Sequence, residues 1–225
     1  MNIREIATNY YQYFLRGTQT TILISLLTVF CGSILGCLIA FMRLSKFKPL
    51  EKFASIYITV IRGTPMLVQL YIVYYQLDFI SYPTGTLFGV DLERALPCII
   101  ALSINSSAYV AEIIRGGIQS IPVGQHEASQ VLGLTKAQTF FHIVLPQVMK
   151  RVLLPVSNEV ITLVKDTSLA NVIAVSELFR AAKNEASRTA SIEPLFVAGL
   201  FYLLMNGVVS LIFNRLNRRM AYYKD

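Results

Sequence analysis

Two carboxylates lie within a stretch, from about 152 to 176, that is otherwise apolar enough to cross a membrane. Glu159 and Asp166 are two helical turns apart, so they share a helix face and lie about 10 Å apart along its axis. Charged groups in a bilayer cost about 2.5–3.5 kcal/mol each and therefore usually serve a function. Two carboxylates that face a cavity would favour a cationic or amino-bearing ligand. The alternative is a structural ion pair with Lys165 or with a basic residue of another helix.

A helix break in a second apolar stretch, from about 54 to 79, offers a complementary site. The sequence RGTP at 62–65 interrupts this stretch, where Thr64 suits the N-cap and Pro65 the first turn of a new helix. Such a break leaves backbone amides free at the positive end of a helix dipole, which transporters use to bind a substrate carboxylate. A zwitterionic ligand would place its carboxylate near residues 63–66 and its amino groups near the two acids. The alternative is a simple proline kink.

A third apolar stretch, from about 95 to 115, carries polar residues on its helical faces. Asn105 and Tyr109 are one helical turn apart, so they share a face, and we expect them to line the substrate path. Glu112 and Arg115 have the spacing of an ion pair on a helix surface, and we assign this pair a structural role.

The composition indicates that these stretches are membrane spans. Of the 225 residues, 54% are hydrophobic and 15% are charged, whereas soluble domains carry about 25% charged residues. Since a membrane helix needs roughly 20 mostly apolar residues, we predict an all-α polytopic membrane protein with a single domain, 1–225. Gly32 and Gly36 form a GxxxG pair, which is typical of close helix contact. The five spans are expected at about 18–42, 54–79, 95–115, 152–176 and 194–214.

The basic residues predict how the chain lies in a bacterial cell membrane. The net charge of +7 is clustered next to the apolar stretches, which argues against nucleic-acid binding. Loops rich in Lys and Arg stay in the cytoplasm, so the N-terminus is expected outside and the C-terminus in the cytoplasm. Residues 1–17 have one apolar and one polar helical face, which predicts an external helix on the membrane surface. The basic residues concerned are Arg43, Lys46, Lys48, Lys52, Arg215, Arg218, Arg219 and Lys224.

Between the third and fourth spans lies a polar insert, residues 117–150, which is far longer than a helix connection requires. Its pattern predicts a helix that ends at Gly133 in a left-handed cap, followed by a second helix that begins at Thr135. Gln138 completes a capping box, and Pro146 is expected to end the second helix. Such a compact arrangement can present a rigid knob to a groove on another protein. The alternative is an ordinary loop on the membrane surface.

The polar insert resembles a known motif. EASQVLG (127–133), followed after nine residues by IVLP (143–146), is similar to the EAA motif of ABC-importer permeases, with Ser129 in place of the usual second alanine. In that family the motif forms cytoplasmic coupling helices that sit in a cleft of the ATPase subunit. The coupling residues that the resemblance implies are Glu127, Ala128, Gly133, Leu134, Ile143, Leu145 and Pro146.

Three further segments extend this resemblance to nearly the whole chain. IRGTP (61–65), NSSAYVAEIIRGGIQSI (105–121) and NEVITLVKDTSLANVI (158–173) are similar to the polar amino-acid permeases of ABC importers. The resemblance implies the transmembrane subunit of an ATP-driven importer of polar amino acids, which works by alternating access. The paired carboxylates favour a cationic substrate, although arginine, lysine, histidine, ornithine, cystine and glutamine all stay open.

The resemblance also implies partners. The chain has no GxxxxGK[ST] phosphate loop, so ATP and magnesium are expected on a separate ABC ATPase, and no enzyme activity, cofactor or metal is expected here. The other expected partners are a second permease copy or a paralogue, an extracellular or periplasmic substrate-binding protein, the amino acid and the lipid bilayer. Nucleic acid is not among them.

Two other functions, those of an ion-coupled carrier and of an intramembrane enzyme, fit the sequence less well. An ion-coupled secondary amino-acid carrier that acts without an ATPase would use the intramembrane acids as ion sites, but it has no reason to carry the polar insert. An intramembrane enzyme is excluded because the spans contain no Ser/His pair, no metal-ligand pair and no HExxH helix.

Overall fold

The computed structural model describes residues 11–77, 85–87 and 89–220. These residues form helices joined by short turns, with one two-stranded antiparallel hairpin in which Thr86 pairs with Asp91 and Leu87 with Val90. In chain order the elements are α1 (Tyr11–Arg43), α2 (Lys48–Gly63), α3 (Met66–Leu77), β1 (Thr86–Leu87), β2 (Val90–Asp91), α4 (Leu92–Gln119), α5 (Val123–Val131), α6 (Lys136–Gln138), a π-helical turn (Thr139–Val144), α7 (Leu145–Asp166), a 3-10 helix (Thr167–Ile173), α8 (Leu178–Thr189) and α9 (Glu193–Arg219).

The helices agree with a polytopic membrane protein, as the composition predicted. Within the described residues, α1, α4 and α9 are long and apolar enough to cross a membrane, with 33, 28 and 27 residues. The predicted second span consists of α2 and α3, which form a bent pair with an angle of 108° and bring the total to four at most. The predicted fourth span corresponds to α7 and the 3-10 helix. Because α7 contains several charged residues, it is not among the helices that are apolar enough to cross a membrane by composition alone. The number of five spans therefore stays a prediction.

The contact between α1 and α4 forms the centre of the bundle. A Cβ atom at Gly36 would lie 2.7 Å from the Cβ of Val110, and one at Gly32 would lie 3.3 Å from the Cβ of Ser106. The absence of side chains at the two glycines therefore allows the helices to approach, which confirms the contact face predicted from GxxxG. The pairing 32 with 106 and 36 with 110 also means that the helices run parallel. The C-terminal end of α1 thus lies at the same end of the bundle as the polar insert.

The predicted boundary between an external surface helix and the first span is wrong for the part that the structure describes. Residues 11–17 are continuous with α1, which begins at Tyr11, while residues 1–10 of the predicted surface helix lie outside the described residues. Gly17 does not interrupt the helix because it faces another segment at close range. A Cβ at Gly17 would lie only 2.9 Å from the Cα of Leu178.

The helix α8 was not predicted, and it lies at the end of the bundle opposite the polar insert. Its N-cap is Glu177, a buried carboxylate that accepts hydrogen bonds at 2.6 Å from the backbone amides of Phe179 and Arg180. The hydroxyl of Tyr202 in α9 donates to the same carboxylate at 3.0 Å. Leu178 then packs with Phe14 of α1. These contacts join α1, α8 and α9 into one unit.

Candidate functional site

The two carboxylates of the predicted fourth span both lie on α7 and are half-buried. The Glu159 carboxylate lies close to the hydroxyl of Ser106, a buried residue of α4, and it interacts electrostatically with Asp166. The positive charge of Lys165 interacts electrostatically with the Asp166 carboxylate. Among the described residues, however, no salt bridge joins either carboxylate to a cation. The alternative for Glu159, a structural ion pair with Lys165 or with a basic residue of another helix, is therefore not formed among the described residues.

The predicted helix break is present, and it is sharper than a proline kink. The first half-helix, α2, ends at Gly63, and α3 begins at Met66 with its axis turned by 108°. Gly63, Thr64 and Pro65 are all exposed. A sharp bend of this kind leaves the backbone accessible between the two half-helices. This is the arrangement in which transporters expose backbone groups to a substrate.

The two residues between the half-helices differ from the predicted capping scheme. The hydroxyl of Thr64 donates to the carbonyl oxygen of Val60 at 2.9 Å, so it caps the end of α2 and not the start of α3. The carbonyl oxygen of Pro65 accepts from the amides of Val68 and Gln69 at 3.0 and 3.2 Å. Pro65 therefore occupies the N-cap of α3, so α3 begins one residue later than predicted. The Thr64 hydroxyl instead satisfies one of the carbonyls that the end of α2 leaves without an amide partner.

A glutamine that the sequence analysis missed holds this break together. Gln69 is buried, with an exposed fraction of 8%. Its Nε2 lies 2.7 Å from the carbonyl oxygen of Ile61, 2.7 Å from Thr64 Oγ1 and 3.1 Å from the Thr64 carbonyl oxygen. Its Oε1 accepts a 3.1 Å hydrogen bond from Nδ2 of Asn105. The signal in the sequence is a glutamine one turn after a helix break, in a segment that is otherwise mostly apolar.

Tyr109 lies next to the break through a cation–π contact. The guanidinium of Arg62 lies 5.3 Å from the centre of the Tyr109 ring, and its Nη1 is 4.0 Å from Oε2 of Glu112. Glu112 receives two shorter bonds from Arg115, at 2.9 and 2.7 Å, which confirms the predicted structural pair. Arg62, Gly63, Tyr109 and Glu112 all line one cavity of ≈440 Å³. This volume is large enough to hold an amino acid.

The structure thus connects most of the predicted substrate-binding residues. Thr64 and Asn105 share Gln69 as a partner, and Glu159 lies close to Ser106, the residue that follows Asn105 in α4. Tyr109 lies one turn further along α4, while Asp166 lies at the C-terminal end of α7. The contacts therefore converge on the middle of α4 from two sides, with the break on one side and a carboxylate on the other.

The polar insert forms the predicted turn. Gly133, which follows α5, has a left-handed backbone with φ of +71°. Its amide donates to the carbonyl of Gln130, and the amide of Leu134 donates to the carbonyl of Ser129, both at 3.0 Å. These two bonds make a complete Schellman cap. At the motif position that is usually alanine, the buried hydroxyl of Ser129 donates to the carbonyl of Gln125 at 2.6 Å.

The start of the second helix also follows the prediction, because both bonds of the capping box are present. Thr135 Oγ1 accepts from the amide of Gln138 at 3.2 Å, and Gln138 Oε1 accepts from the amide of Thr135 at 2.9 Å. The predicted end of this helix at Pro146 is wrong. The π-helical turn continues into α7, and Pro146 lies in the first turn of α7. The widened turn is closed by the amide of Leu145, which donates to the carbonyl of Phe140.

The predicted coupling residues divide into an exposed knob and a base. Glu127, Ala128 and Gly133 are exposed, and beside them Val131 and Leu132 have exposed fractions of 88% and 75%. The predicted residues that are half-buried instead are Leu134, Ile143, Leu145 and Pro146.

The base of the insert is anchored to α4 and α7. Val144, Val148 and Val152 pack with Ile121, and a Cβ at Gly117 would lie 2.4 Å from Val152 Cγ1. Arg151 of α7 donates through Nη1 to the backbone carbonyl and the side-chain hydroxyl of Ser120, at the end of α4. The knob is therefore exposed, while its base is rigidly joined to the bundle.

Comparison with known proteins finds similar sequences over nearly the whole chain. Residues 32–222 match the family described as "Binding-protein-dependent transport system inner membrane component". The L-cystine transport system permease protein TcyB of Bacillus subtilis (strain 168) is 39% identical over 211 residues, 91% of this chain and 87% of that protein. The arginine transport system permease protein ArtQ of the same organism is 34% identical over 209 residues, 92% of each chain.

A solved structure is similar in both sequence and fold. The crystal structure of an amino acid ABC transporter with histidines contains a chain that is 36% identical, with a TM-score of 0.85, and the match covers 97% of this chain and 99% of that one. The fold, the helix break and the polar insert thus occur in a chain whose relatives are permease components of amino-acid ABC transporters. The present chain belongs to the family of binding-protein-dependent transport system inner membrane components, the permease subunits of ABC importers.

Proposed function

We propose that this chain forms the translocation path of an ATP-driven importer of polar amino acids, and that the polar insert receives force from a separate ATPase. The observation that carries this proposal is the form of the insert. Two large apolar side chains, Val131 and Leu132, project from a helix end that is capped by the left-handed Gly133. Apolar side chains on a rigid exposed turn are typical of a surface that binds another protein.

Force applied to the insert would reach the substrate through α7. The π-helical turn passes into α7 without a break, and valines of both segments pack on Ile121. Glu159 follows Leu145 by fourteen positions, which corresponds to about 21 Å along the helix. A movement of the insert on ATP binding would therefore shift Glu159 relative to the helix break. Alternating access would follow if the two states bind substrate from opposite sides.

The substrate would bind between α7 and the helix break. Glu159 and Asp166 would attract its amino groups, since no salt bridge to a described cation neutralises them. The free backbone amides at the start of α3, next to Thr64 and Pro65, would receive the carboxylate, with Asn105 and Tyr109 lining the path between. Two carboxylates against one amino acid favour a cationic substrate such as arginine, lysine or ornithine.

The polar insert would face the cytoplasm in this arrangement. Because α1 runs parallel to α4, Arg43 and Lys46 lie at the insert end of the bundle, as the positive-inside rule requires of cytoplasmic residues. A substrate-binding protein would deliver the amino acid at the opposite end. There a cavity of ≈550 Å³ is lined by Arg16, Asp91 and Arg94, among others. A second copy or a paralogue would complete the path, since four or five spans in one chain contain no inverted repeat.

An ion-coupled carrier is the second candidate, and the two carboxylates without salt bridges favour it. In a carrier they would bind a proton or sodium ion during transport. Such a protein would transport without ATP, and its exposed Val131 and Leu132 would have no partner. A direct experiment separates the two functions.

The experiment is uptake into proteoliposomes that contain the chain with its cognate ATPase and substrate-binding protein. Under the proposal, uptake requires ATP, and Gly133→Ala reduces it by about tenfold, because a side chain in the left-handed region costs about 1–2 kcal/mol and distorts the cap. Gly124→Ala is the matched control, since this α5 glycine has no positive φ and no atom within 4 Å of an added Cβ. ATP-independent uptake that is equal in both variants would assign the carrier function instead.

A further inference from the structure

We propose that Gln69 is a positioning residue for transport, which holds the helix break and Asn105 in one fixed arrangement. This inference rests on the proposed function, because it concerns two residues that we place on the substrate path. Thr64 and Asn105 belong to different helical segments, yet both bond the same buried side chain. Gln69 itself is buried among helices, so it acts through these two residues.

The amide group of Gln69 is used at both ends. Its nitrogen carries two hydrogens and has three acceptors within 3.1 Å, all of them at the C-terminal end of α2. Its oxygen accepts from the side-chain amide of Asn105. A glutamine is therefore suited to this position in a way that glutamate or methionine is not. Glutamate keeps the acceptor oxygen but loses both donor hydrogens. Methionine loses the acceptor oxygen as well as both donor hydrogens.

The break needs such a donor because the backbone does not supply one. The last carbonyls of α2 have no amide partners in the helix, and Pro65 contributes no N–H. In a membrane an unpaired carbonyl group costs several kcal/mol, since no water replaces the missing bond. Gln69, at the end of the first turn of α3, reaches back to the carbonyls of Ile61 and Thr64. Its side chain thereby fixes the 108° angle between the half-helices.

The bond to Asn105 extends this constraint to α4. The substrate carboxylate and the rest of the substrate would contact different segments, the break and α4 respectively. A single side chain that bonds both segments keeps the two halves of the site in register. Small displacements of binding groups reduce transfer rates strongly, since a shift of about 1 Å can cost a factor of about 100. Loss of Gln69 should therefore impair transport without affecting the ATPase contact.

The test compares Gln69→Glu with Gln76→Glu in the complete transporter in proteoliposomes. Gln76 lies on the same helix and is exposed, and the substitution is identical. The substrate is whichever of arginine, cystine and glutamine the wild-type complex imports fastest. We expect Gln69→Glu to lower the substrate imported per ATP hydrolysed by about tenfold or more, with basal ATP hydrolysis within about twofold of wild type. The Gln76→Glu complex should match wild type in both measurements.

Gln69→Met repeats the test without introducing a charge, in case the glutamate variant does not assemble. If an assembled Gln69 variant imports as much substrate per ATP as wild type, the positioning role is wrong. If neither variant assembles with the ATPase whereas Gln76→Glu does, Gln69 serves the fold alone, and the inference is also overturned. Failure of the proposed function looks different, because then the wild-type complex itself shows no ATP-dependent uptake.

Discussion

The helix break and the polar insert both join two helices at a sharp turn, but they satisfy the backbone in different ways. In the insert the bonds are local: Gly133 and Leu134 donate to carbonyls three and five residues earlier, and Thr135 and Gln138 cap each other. In the break the bonds come from a side chain in the next helix, and that side chain is itself held by Asn105 of α4. The turn of the insert is thus defined by its own sequence, while the break depends on the packing of another helix.

The difference follows from the surroundings of the two turns. The insert is exposed, so water can replace a lost cap, and a single change costs about 1 kcal/mol. The break lies in a segment that crosses or enters the bilayer, where an unsatisfied backbone group costs several kcal/mol. We therefore expect substitutions that disturb the α4 side of the break to have larger effects than those that remove one cap of the insert.

The largest effect should come from Gly36→Leu. A side chain at this position overlaps Val110, whose Cβ would be 2.7 Å from the new Cβ, so α1 and α4 must separate. Because Ser106 and Asn105 lie on the same part of α4, we expect loss of folded complex and not only of activity. The measurement is the yield of monodisperse complex on size-exclusion chromatography in detergent. Gly199→Leu, in open space on α9, is the control and should assemble normally.

An intermediate effect is expected from Glu159→Gln. Glutamine has nearly the same shape as glutamate and keeps an acceptor oxygen next to Ser106, so we expect the fold to be preserved while the charge is removed. We expect uptake of a cationic substrate to fall by about tenfold and uptake of a neutral one by about twofold or less, since only the cation loses an opposite charge. Initial rates are measured for two substrates that the same binding protein delivers. Equal losses for both substrates would show that Glu159 does not determine specificity.

The smallest effect should come from Thr135→Ala in the polar insert. Removal of an N-cap hydroxyl costs about 1 kcal/mol of local helix stability, which corresponds to about a fivefold loss of coupling between ATP hydrolysis and uptake. Thr135→Ser retains the hydroxyl and should behave as wild type. If Thr135→Ala impairs transport as strongly as Gln69→Glu, the distinction between a local turn and a turn that depends on packing would be wrong.

Features that depend on neighbouring residues were predicted well. The left-handed cap at Gly133, the capping box at Thr135 and the break after Arg62 are all present. The errors concern how segments continue or where side chains point: α1 runs through residue 17, Pro146 begins a helix, and Thr64 caps α2. At residue 17 a tertiary contact, and before Pro146 a widened helical turn, replaces the interruption that the residue type suggests. Thr64 differs, because its hydroxyl bonds a carbonyl four residues earlier in its own helix.

The sequence alone determined the membrane character of the chain, its family resemblance and the shape of the polar insert. These properties depend on hydrophobicity summed over spans and on bonds between residues at most five positions apart. Only the tertiary structure decided that Gln69 would be a partner of both Thr64 and Asn105, and that Glu159 would lie close to Ser106. Those contacts join residues that lie on different helices, and the packing of the glycine face of α1 against α4 helps to set where those helices lie. A buried polar group must find its partner wherever the packing of the helices places one.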